Sequence, residues 1–273
     1  MSKQRTPSLP RTAIIDIGSN TVRLVVYEGV TSLSAPSFNE KIHCELARGL
    51  TESGRLNRDG QGRAMAALSR FVRLARAMGV ARIEAVATAA VREAIDGNSF
   101  IGRIERRFRI PVRVLSGAEE AQLSAFGLLA NIPAADGLFG DLGGGSLELV
   151  SLSKGKIKNS ASLMLGHLVL AERSDGSRKR ADSLIDGDLD ALSWLRRLKG
   201  RTLYLTGGAW RTIARILLEQ TINPLHIIDG YEVDEDKVSQ TASVLSGLSD
   251  KTLLKIESLS PRRAGTLPFA ALV

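Results

Sequence analysis

The feature that most constrains this chain is an internal repeat. Residues 14–25 read IIDIGSNTVRLV and residues 139–150 read FGDLGGGSLELV, and the two segments align without a gap. In both copies apolar residues flank an Asp-x-Gly turn, which predicts a strand, a tight turn and a second strand. A unit that recurs halfway along 273 residues indicates a duplicated domain. We therefore expect two α/β domains facing one another, at residues 1–125 and 126–273.

The sequence around the two copies predicts further strands and helices, as in a layered α/β domain. Asn57 is a suitable N-cap, and apolar residues follow it at helical spacing until Gly79. Apolar runs and turn residues predict strands at 38–46, 83–88, 112–115 and 201–206, and further strands between 150 and about 168. They predict helices at 57–78, 99–108, 191–198 and 210–218, and one that begins at 116.

Each copy of the repeat places an aspartate, Asp16 or Asp141, at the end of an apolar strand and close before glycine. A carboxylate there can hold Mg²⁺ directly or through water, while backbone N–H groups of the turn bind phosphate oxygens. An aspartate that only stabilises its own turn is the ordinary alternative, and two matching copies favour function over it. The predicted phosphate-binding residues are Gly18, Ser19, Asn20, Gly143, Gly144, Gly145 and Ser146.

Four motifs occur in a fixed order: DIGSN at 16–20, ATAAVR at 87–92, SGAEEA at 116–121 and DLGGGSLELV at 141–150. Together they resemble the exopolyphosphatase and guanosine pentaphosphate phosphatase family, which belongs to the superfamily of sugar kinases, actin and chaperone ATPases. The resemblance covers nearly the whole chain from about Arg11. It implies two duplicated ribonuclease H-like domains with the active site in the cleft between them. It also implies a further helix and strand after the apolar run at 267–273.

The resemblance implies a reaction as well: Mg²⁺-dependent hydrolysis of terminal phosphates from polyphosphate or pppGpp. In the family a glutamate of the SGAEEA segment is the catalytic base, and the two Asp-x-Gly loops hold metal and phosphate. This division suits the chemistry, because the negative charge of a phosphoanhydride repels nucleophiles. The enzyme must neutralise the terminal phosphoryl group and aim a water molecule in line with the leaving oxygen.

Three other charged residues are candidates for the site. Arg92 is suited to a bidentate phosphate clamp, or else it is a surface arginine that pairs with Glu93 or Asp96. Glu148 and Arg23 occupy equivalent positions of the repeat. We expect Glu148 to meet metal-bound water and group it with the metal residues. Arg23 either contacts the substrate or pairs across the cleft.

The adjacent glutamates of the SGAEEA segment are predicted to differ in role. Ser116 begins a helix, and the Ser-x-x-Glu spacing places Glu119 at the third position of a capping box. Glu120 is rotated about 100° around the helix and has no capping role. We therefore predict Glu120 as the general base and Glu119 as the cap, with a one-residue shift between them left open.

The net charge of +8 favours a polyanionic partner. Seven Phe and three Tyr offer few rings for base stacking, which disfavours nucleic acid. One arginine cluster stands out, either as a polyanion site or as a solvated face: Arg103, Arg106, Arg107, Arg109 and Arg113. The single cysteine, Cys44, and the absence of a signal-like or membrane-spanning run predict a cytoplasmic protein with no membrane partner. A homodimer is left open.

Two other classes of function compete with a phosphohydrolase: an ATP-dependent kinase or ATPase of the same superfamily, and a non-catalytic regulator that binds (p)ppGpp. Residues 206–209 read TGGA where the superfamily usually has a nucleotide-contacting Gly-Gly-Thr, and Trp210 follows. This departure argues mildly against an adenosine site. The three histidines, His43, His167 and His226, show no metal-ligand spacing and are interpreted as structural.

Overall fold

The computed structural model describes residues 10–29, 35–221 and 227–273, which form two compact units. The first unit comprises residues up to Glu120 and Phe126–Pro133, and the second comprises Ala121–Ala125 and Ala134–Val273. One long helix, Gly117–Asn131, contributes to both units. The boundary predicted from the sequence, after residue 125, falls within this helix. The start of the chain, 1–9, and the predicted structural histidine His226 lie outside the described residues.

The first unit is built on a five-stranded mixed sheet. Its strands are β1 (Arg11–Ile17), β2 (Thr21–Glu28), β3 (Pro36–His43), β4 (Arg82–Ala87) and β5 (Val112–Val114). The strand order is β3-β2-β1-β4-β5. β1 and β2 form the antiparallel hairpin of the first repeat, whereas β4 runs parallel to β1. Ala13, Ile15 and Ile17 are buried at every second position of β1, so the sheet turns one face towards a helical layer.

That layer confirms the helices predicted for this half. The helices are α1 (Leu50–Ser53), α2 (Arg58–Ala77), α3 (Ala89–Glu93), α4 (Gly97–Phe108) and α5 (Gly117–Asn131). Asn57 caps α2 as expected, because its side chain accepts a hydrogen bond of 3.1 Å from the Asp59 N–H. Leu68, Phe71 and Val72 lie on the buried face of α2. Helical spacing of apolar residues was therefore a sound guide here.

The second unit repeats the same plan on a four-stranded sheet. Its strands are β6 (Gly137–Leu142), β7 (Leu147–Ser153), β8 (Lys156–Leu163) and β9 (Thr202–Thr206), in the order β8-β7-β6-β9. β6 and β7 form the hairpin of the second repeat, and β9 runs parallel to β6. Within the described residues β9 is an edge strand, and its Leu203 and Leu205 are 52% and 40% exposed. The two sheets thus confirm the duplication that the repeat predicted.

Helices complete the second unit. They are α6 (His167–Arg173), α7 (Arg178–Asp190), a 3₁₀ helix (Ser193–Leu198), α8 (Gly208–Glu219), α9 (Glu235–Gly247), α10 (Asp250–Leu253), α11 (Pro261–Ala264) and α12 (Leu267–Leu272). One prediction was wrong here: β8 ends at Leu163 rather than near 168. The helix predicted at 191–198 is present as the short 3₁₀ helix, whereas the longer α7 before it was missed. α7 buries only Ala181 and Ile185, so its periodicity is faint. No helix among the described residues is long and apolar enough to span a bilayer.

Candidate functional site

The Asp-x-Gly turn closes in the same way in both units. The Gly18 N–H donates to the Thr21 carbonyl at 2.9 Å, and the Gly143 N–H donates to the Ser146 carbonyl at 3.0 Å. These are equivalent residues of the repeat. The sequence similarity between the two segments therefore corresponds to a shared backbone conformation.

The carbonyl groups of both turns are bound by the segment that follows the third strand of each sheet. In the first unit Asn20 O accepts from the Cys44 and Glu45 N–H groups, and Ser19 O accepts from Ala47 N–H. In the second unit the N–H groups at 166–169 donate to the carbonyls of residues 143–145. The N–H groups of the turns are not bound in this way. Within the described ranges, the N–H groups of Ser19, Asn20, Gly144 and Gly145 donate no hydrogen bond. Clustered free N–H groups are suited to phosphate oxygens.

Gly166 holds the second turn against α6, and sequence reasoning missed it. A Cβ atom at Gly166 would lie 2.3 Å from the Gly145 carbonyl carbon and 2.3 Å from the Ser146 nitrogen. Real Cβ atoms do not approach backbone this closely, so any larger residue must displace the turn. The available signal was a glycine immediately before a helix, which is too common to identify a site.

The second unit places two carboxylates directly opposite each other. Asp141 on β6 pairs in register with Glu148 on β7, and Glu148 pairs with Ser162 on β8. Directly opposed residues of antiparallel strands have side chains on the same face, where like charges repel. Glu148 is only 2% exposed and accepts a 2.9 Å hydrogen bond from Ser162 Oγ. Asp141 Oδ2 accepts a 2.9 Å hydrogen bond from Ser124 Oγ.

The first unit has the opposite charge at the equivalent positions. Asp16 on β1 pairs in register with Arg23 on β2, and Arg23 pairs with Lys41 on β3. Arg23 Nε donates to Asn39 Oδ1 at 2.9 Å within the same sheet. These three neighbouring positions across the sheet therefore carry two cations and one carboxylate. Lys41 was missed in the sequence because it lies beyond the end of the aligned repeat.

The donor set of the second unit fits Mg²⁺. Within the described part of the chain, no three His, Cys, Asp or Glu side chains cluster as metal ligands. Mg²⁺ does not need such a cluster, since proteins usually hold it with one or two carboxylates, several waters and substrate phosphates. Asp141 and Glu148 supply two carboxylates whose mutual repulsion a divalent cation relieves. Asp16 faces an arginine instead, so the first unit has less need of a metal.

Glu119 has the capping role that the sequence predicted. Ser116 Oγ accepts from the Glu119 N–H, while Glu119 Oε2 accepts a 2.8 Å hydrogen bond from the Ser116 N–H. Hydrogen bonds from the Ser116 side chain and backbone lower the pKa of Glu119. The exposed carboxylate is therefore committed to the start of α5.

Glu120 forms an ion pair with Arg92. Arg92 Nη1 donates to Glu120 Oε2 at 2.9 Å, and it also donates to the Leu115 carbonyl at 2.9 Å. Arg92 Nε donates to Glu93 at 3.1 Å. Both side chains are mostly buried, at 19% exposed for Arg92 and 17% for Glu120. Burial alone lowers the pKa of Arg92, but its hydrogen bonds to Glu120 and Glu93 outweigh this and raise the pKa.

These contacts change the interpretation of Arg92. Of the two pairings considered from the sequence, the one between Arg92 and Glu93 is present. Asp96 instead accepts hydrogen bonds from the Leu56 N–H and the Gln61 side chain. Only Nη2 of Arg92 is without a partner in the described chain. A bidentate clamp uses two guanidinium nitrogens. In this conformation Arg92 therefore orients Glu120 and has one nitrogen left for a phosphate.

The Gly-Gly segment after β9 leads into the core. Gly207 has φ +111°, and a Cβ there would lie 2.4 Å from the Leu142 carbonyl oxygen, so only glycine fits. Trp210 donates from Nε1 to the Ala270 carbonyl at 3.0 Å, and its ring approaches Gly140 so closely that a Cβ there would lie 3.1 Å away. The indole is thus a packing residue, partly buried against the core of the second unit.

His167 is also structural. It is the first residue of α6, and its Nδ1 is buried with no hydrogen-bond partner among the described residues. Burial, with a smaller effect of the Arg263 charge, lowers the pKa of His167 to about 4. The imidazole is therefore neutral near pH 7, and a buried neutral histidine agrees with the structural role predicted for it.

The arginine cluster is divided between two elements and their connection. Arg103, Arg106 and Arg107 lie on α4, and all three are exposed. Arg109 ends α4 in a left-handed conformation. Arg113 is the central residue of β5, between Val112 and Val114, whose side chains face the other side of the strand. The five arginines, close together in the sequence, are therefore spread over a helix, its C-terminal end and a strand.

Two sheets share the order of their first four strands, and each begins with a hairpin that contains an Asp-x-Gly turn. They define a duplicated ribonuclease H-like α/β protein. The chain matches the model of the Ppx/GppA phosphatase family over residues 25–273 and belongs to that family. Phosphatase is accordingly the class of enzyme to which it is assigned.

Solved structures agree with this fold. An exopolyphosphatase from Cytophaga hutchinsonii is 24% identical with a TM-score of 0.85, and the match covers 96% of this chain and 88% of that one. An exopolyphosphatase-like protein is 22% identical with a TM-score of 0.85, covering 98% and 87%. The Aquifex aeolicus member of the Ppx/GppA family is 22% identical with a TM-score of 0.75, covering 97% and 88%. At these identities the likeness establishes the fold.

Proposed function

We propose that this chain is an exopolyphosphatase that releases terminal phosphate from polyphosphate, pppGpp or both by attack of water. The observation that carries the proposal is the opposed pair of Asp141 and Glu148 beside the unused N–H groups of Gly144 and Gly145. The carboxylates favour a divalent cation, and the N–H groups favour phosphate oxygens. Similar solved structures described as exopolyphosphatases support the substrate class.

The difference in charge between the two units supports a division of roles. In the second unit Asp141 and Glu148 would hold Mg²⁺, which would supply positive charge to a phosphoryl group. In the first unit Arg23 and Lys41 carry the positive charge that attracts phosphates of the substrate chain. Asp16 lies opposite Arg23 in the strand register and offsets part of that positive charge, while Asn39 accepts from Arg23 Nε. The N–H groups of both turns bind phosphate oxygens.

Glu120 is proposed as the general base. It would accept a proton from the attacking water, a role that requires an ionised carboxylate. The guanidinium of Arg92 lies 2.9 Å away and favours that ionised form. The same ion pair restricts the rotamers of Glu120, so the carboxylate is oriented before the substrate binds.

The structure also bears on the competing functions. A kinase or ATPase of the same superfamily needs a pocket for adenosine, whereas Trp210, shortly after the Gly-Gly segment, packs against the core and donates to the Ala270 carbonyl. A non-catalytic regulator that binds (p)ppGpp has no need of a general base, whereas the Glu120 carboxylate is held by Arg92 in a mostly buried position. Both points support hydrolysis over these alternatives.

Phosphate release from long-chain polyphosphate, pppGpp and ATP, measured side by side with and without Mg²⁺, tests the function. We expect Mg²⁺-dependent release from polyphosphate or pppGpp and much slower release from ATP. Turnover of ATP alone would favour the kinase or ATPase. No release from any substrate, with retained binding of pppGpp, would favour the regulator.

Asp141→Asn tests the metal assignment. We expect a loss of about 10²-fold or more in kcat/KM, because a carboxylate that holds the metal is replaced by a neutral amide of the same size. Asp186→Asn, at an exposed position of α7, is the matched control and should have wild-type kcat/KM. Near-normal Mg²⁺-dependent turnover in Asp141→Asn would rule out this role.

If both turns serve one reaction, Asp16→Asn should lower kcat/KM too. The loss of kcat/KM in the double variant should then be smaller than the two single losses combined.

A further inference from the structure

Ser124 makes a contact that the proposed reaction does not yet use. It lies on α5, and its Oγ donates to Asp141 Oδ2 at 2.9 Å in a partly buried position. Both residues belong to the second compact unit. A hydroxyl that donates to one carboxylate oxygen restricts the orientations that the carboxylate can adopt.

The geometry of Ser124 differs from that of Ser183 and Ser53. A serine inside a helix can donate to the carbonyl four residues before it. Ser183 on α7 does so, donating to the Lys179 carbonyl at 3.2 Å, and Ser53 on α1 donates to the Gly49 carbonyl at 2.6 Å. Ser124 donates to Asp141 instead. Its side chain is therefore directed by a tertiary partner rather than by its own helix.

The position of Ser124 on α5 adds a second point. Glu120 precedes it by four residues, and side chains four apart lie on the same face of a helix. One helix face thus presents the proposed base and the hydroxyl that holds the proposed metal carboxylate. A hydrogen bond to Oδ2 leaves Oδ1 of Asp141 as the oxygen for a cation.

We propose that Ser124 is a positioning residue for the divalent metal: it holds Asp141 in the orientation that binds the cation. This inference rests on the proposed function, because it takes Asp141 as a metal ligand. Hydrogen-bond partners of ligands typically contribute about 10–100-fold in metal affinity. Loss of the hydroxyl should therefore weaken metal binding in the absence of any substrate.

Binding of Mn²⁺ alone, measured by the loss of its free-ion paramagnetic resonance signal, tests the proposal. We expect Ser124→Ala to raise the dissociation constant about 10-fold or more, and Ser124→Thr, which keeps a hydroxyl, to restore most of the affinity. Ser183→Ala is the matched control: it removes a helical hydroxyl in the same unit and should leave Mn²⁺ affinity unchanged. In an Asp141→Asn background, Ser124→Ala should have no further effect.

The outcomes separate this inference from the proposed function. Wild-type Mn²⁺ affinity in Ser124→Ala, with affinity lost in Asp141→Asn, overturns the positioning role and leaves the metal assignment standing. Wild-type affinity in Asp141→Asn overturns both. If Ser124→Ala does not fold, Ser124→Thr and Ser124→Val compare side chains of equal size with and without the hydroxyl. Equal affinity in that pair overturns the positioning role.

Discussion

Two adjacent residues, Glu119 and Glu120, show how neighbours in sequence take different roles. Glu119 is exposed and bound to Ser116 at the start of α5, whereas Glu120 is mostly enclosed and paired with Arg92. The rotation between consecutive helical residues directs their side chains to different surroundings. The capping role is confirmed by the structure, and the catalytic role remains a prediction.

Substitution of each glutamate should separate stability from catalysis. Glu120→Gln is expected to bind substrate but lose about 10²–10⁴-fold in kcat, the usual contribution of a general base. Glu119→Ala should lower the thermal unfolding midpoint, because the start of α5 loses its cap, while kcat stays near wild type. Single-turnover kinetics and thermal denaturation of both variants provide the measurement. A large loss of kcat in Glu119→Ala with a stable fold would reverse the two assignments.

His167 gives the protein a defined sensitivity to acid. Its pKa is lowered from 6.5 to about 4 in the folded state, mainly by burial, so below pH 6.5 the unfolded chain binds the proton more readily. Stability should therefore fall as the pH drops from about 6.5 to about 4, by roughly 3 kcal/mol in total. Urea unfolding of the wild type and His167→Gln at several pH values tests this. Parallel pH profiles for the two proteins would contradict the prediction.

At the scale of elements, the Asp-x-Gly turn of the second unit depends on α6. The N–H groups at the start of α6 take up the carbonyls of residues 143–145, which leaves the turn N–H groups available for a ligand. Gly166 permits this close approach. Helix ends need partners for their first N–H groups, so the turn and the helix satisfy each other.

Gly166→Ala is expected to disturb both stability and activity. The added Cβ would force the Gly145–Ser146 peptide to move, which should cost about 1–3 kcal/mol of stability, as overpacking does, and lower kcat/KM. Gly187→Ala on α7 is the matched control, because a Cβ there has no atom within 4 Å. That variant should gain about 0.4–1 kcal/mol through helix propensity. Wild-type stability and activity in Gly166→Ala would show that the turn is not held in this way.

At the scale of the whole molecule, the charge of +8 should favour long polyanions. Arg106 and Arg107 lie in the last turn of α4, where arginines also stabilise the helix C-terminus. Kinetics can separate these roles: Arg106→Glu with Arg107→Glu should raise KM more for long polyphosphate than for tripolyphosphate, with a steep dependence on salt. Equal changes in KM for both lengths would return these arginines to a solvated helix face.

A matched control distinguishes local from overall charge. Arg196→Glu with Arg197→Glu, in the exposed 3₁₀ helix of the second unit, lowers the net charge by the same amount, from +8 to +4. If α4 binds the polyanion, this control should change KM less than the α4 variant does. Equal effects of the two double variants would show that only the overall charge attracts the substrate.

Local patterns determined much of this protein. The repeat predicted two sheets with matching hairpins, and Asn57 and Ser116 marked helix starts that the structure confirms. Such features depend on residues a few positions apart, so they can be read along the chain. The weak face of α7 shows the limit, because a helix with two buried residues leaves little periodic signal.

Only the tertiary structure decided which charges meet. Asp16 and Asp141 occupy equivalent positions of the repeat, yet one lies opposite an arginine and the other opposite a glutamate. Lys41 and Ser162 join these rows through strand pairing, and Ser124 reaches Asp141 from a helix. The sequence by itself determined the two turns and the helix caps, because short-range sterics and hydrogen bonds control them. The charge around each turn depends on register between distant segments, which burial and pairing establish only when the chain folds.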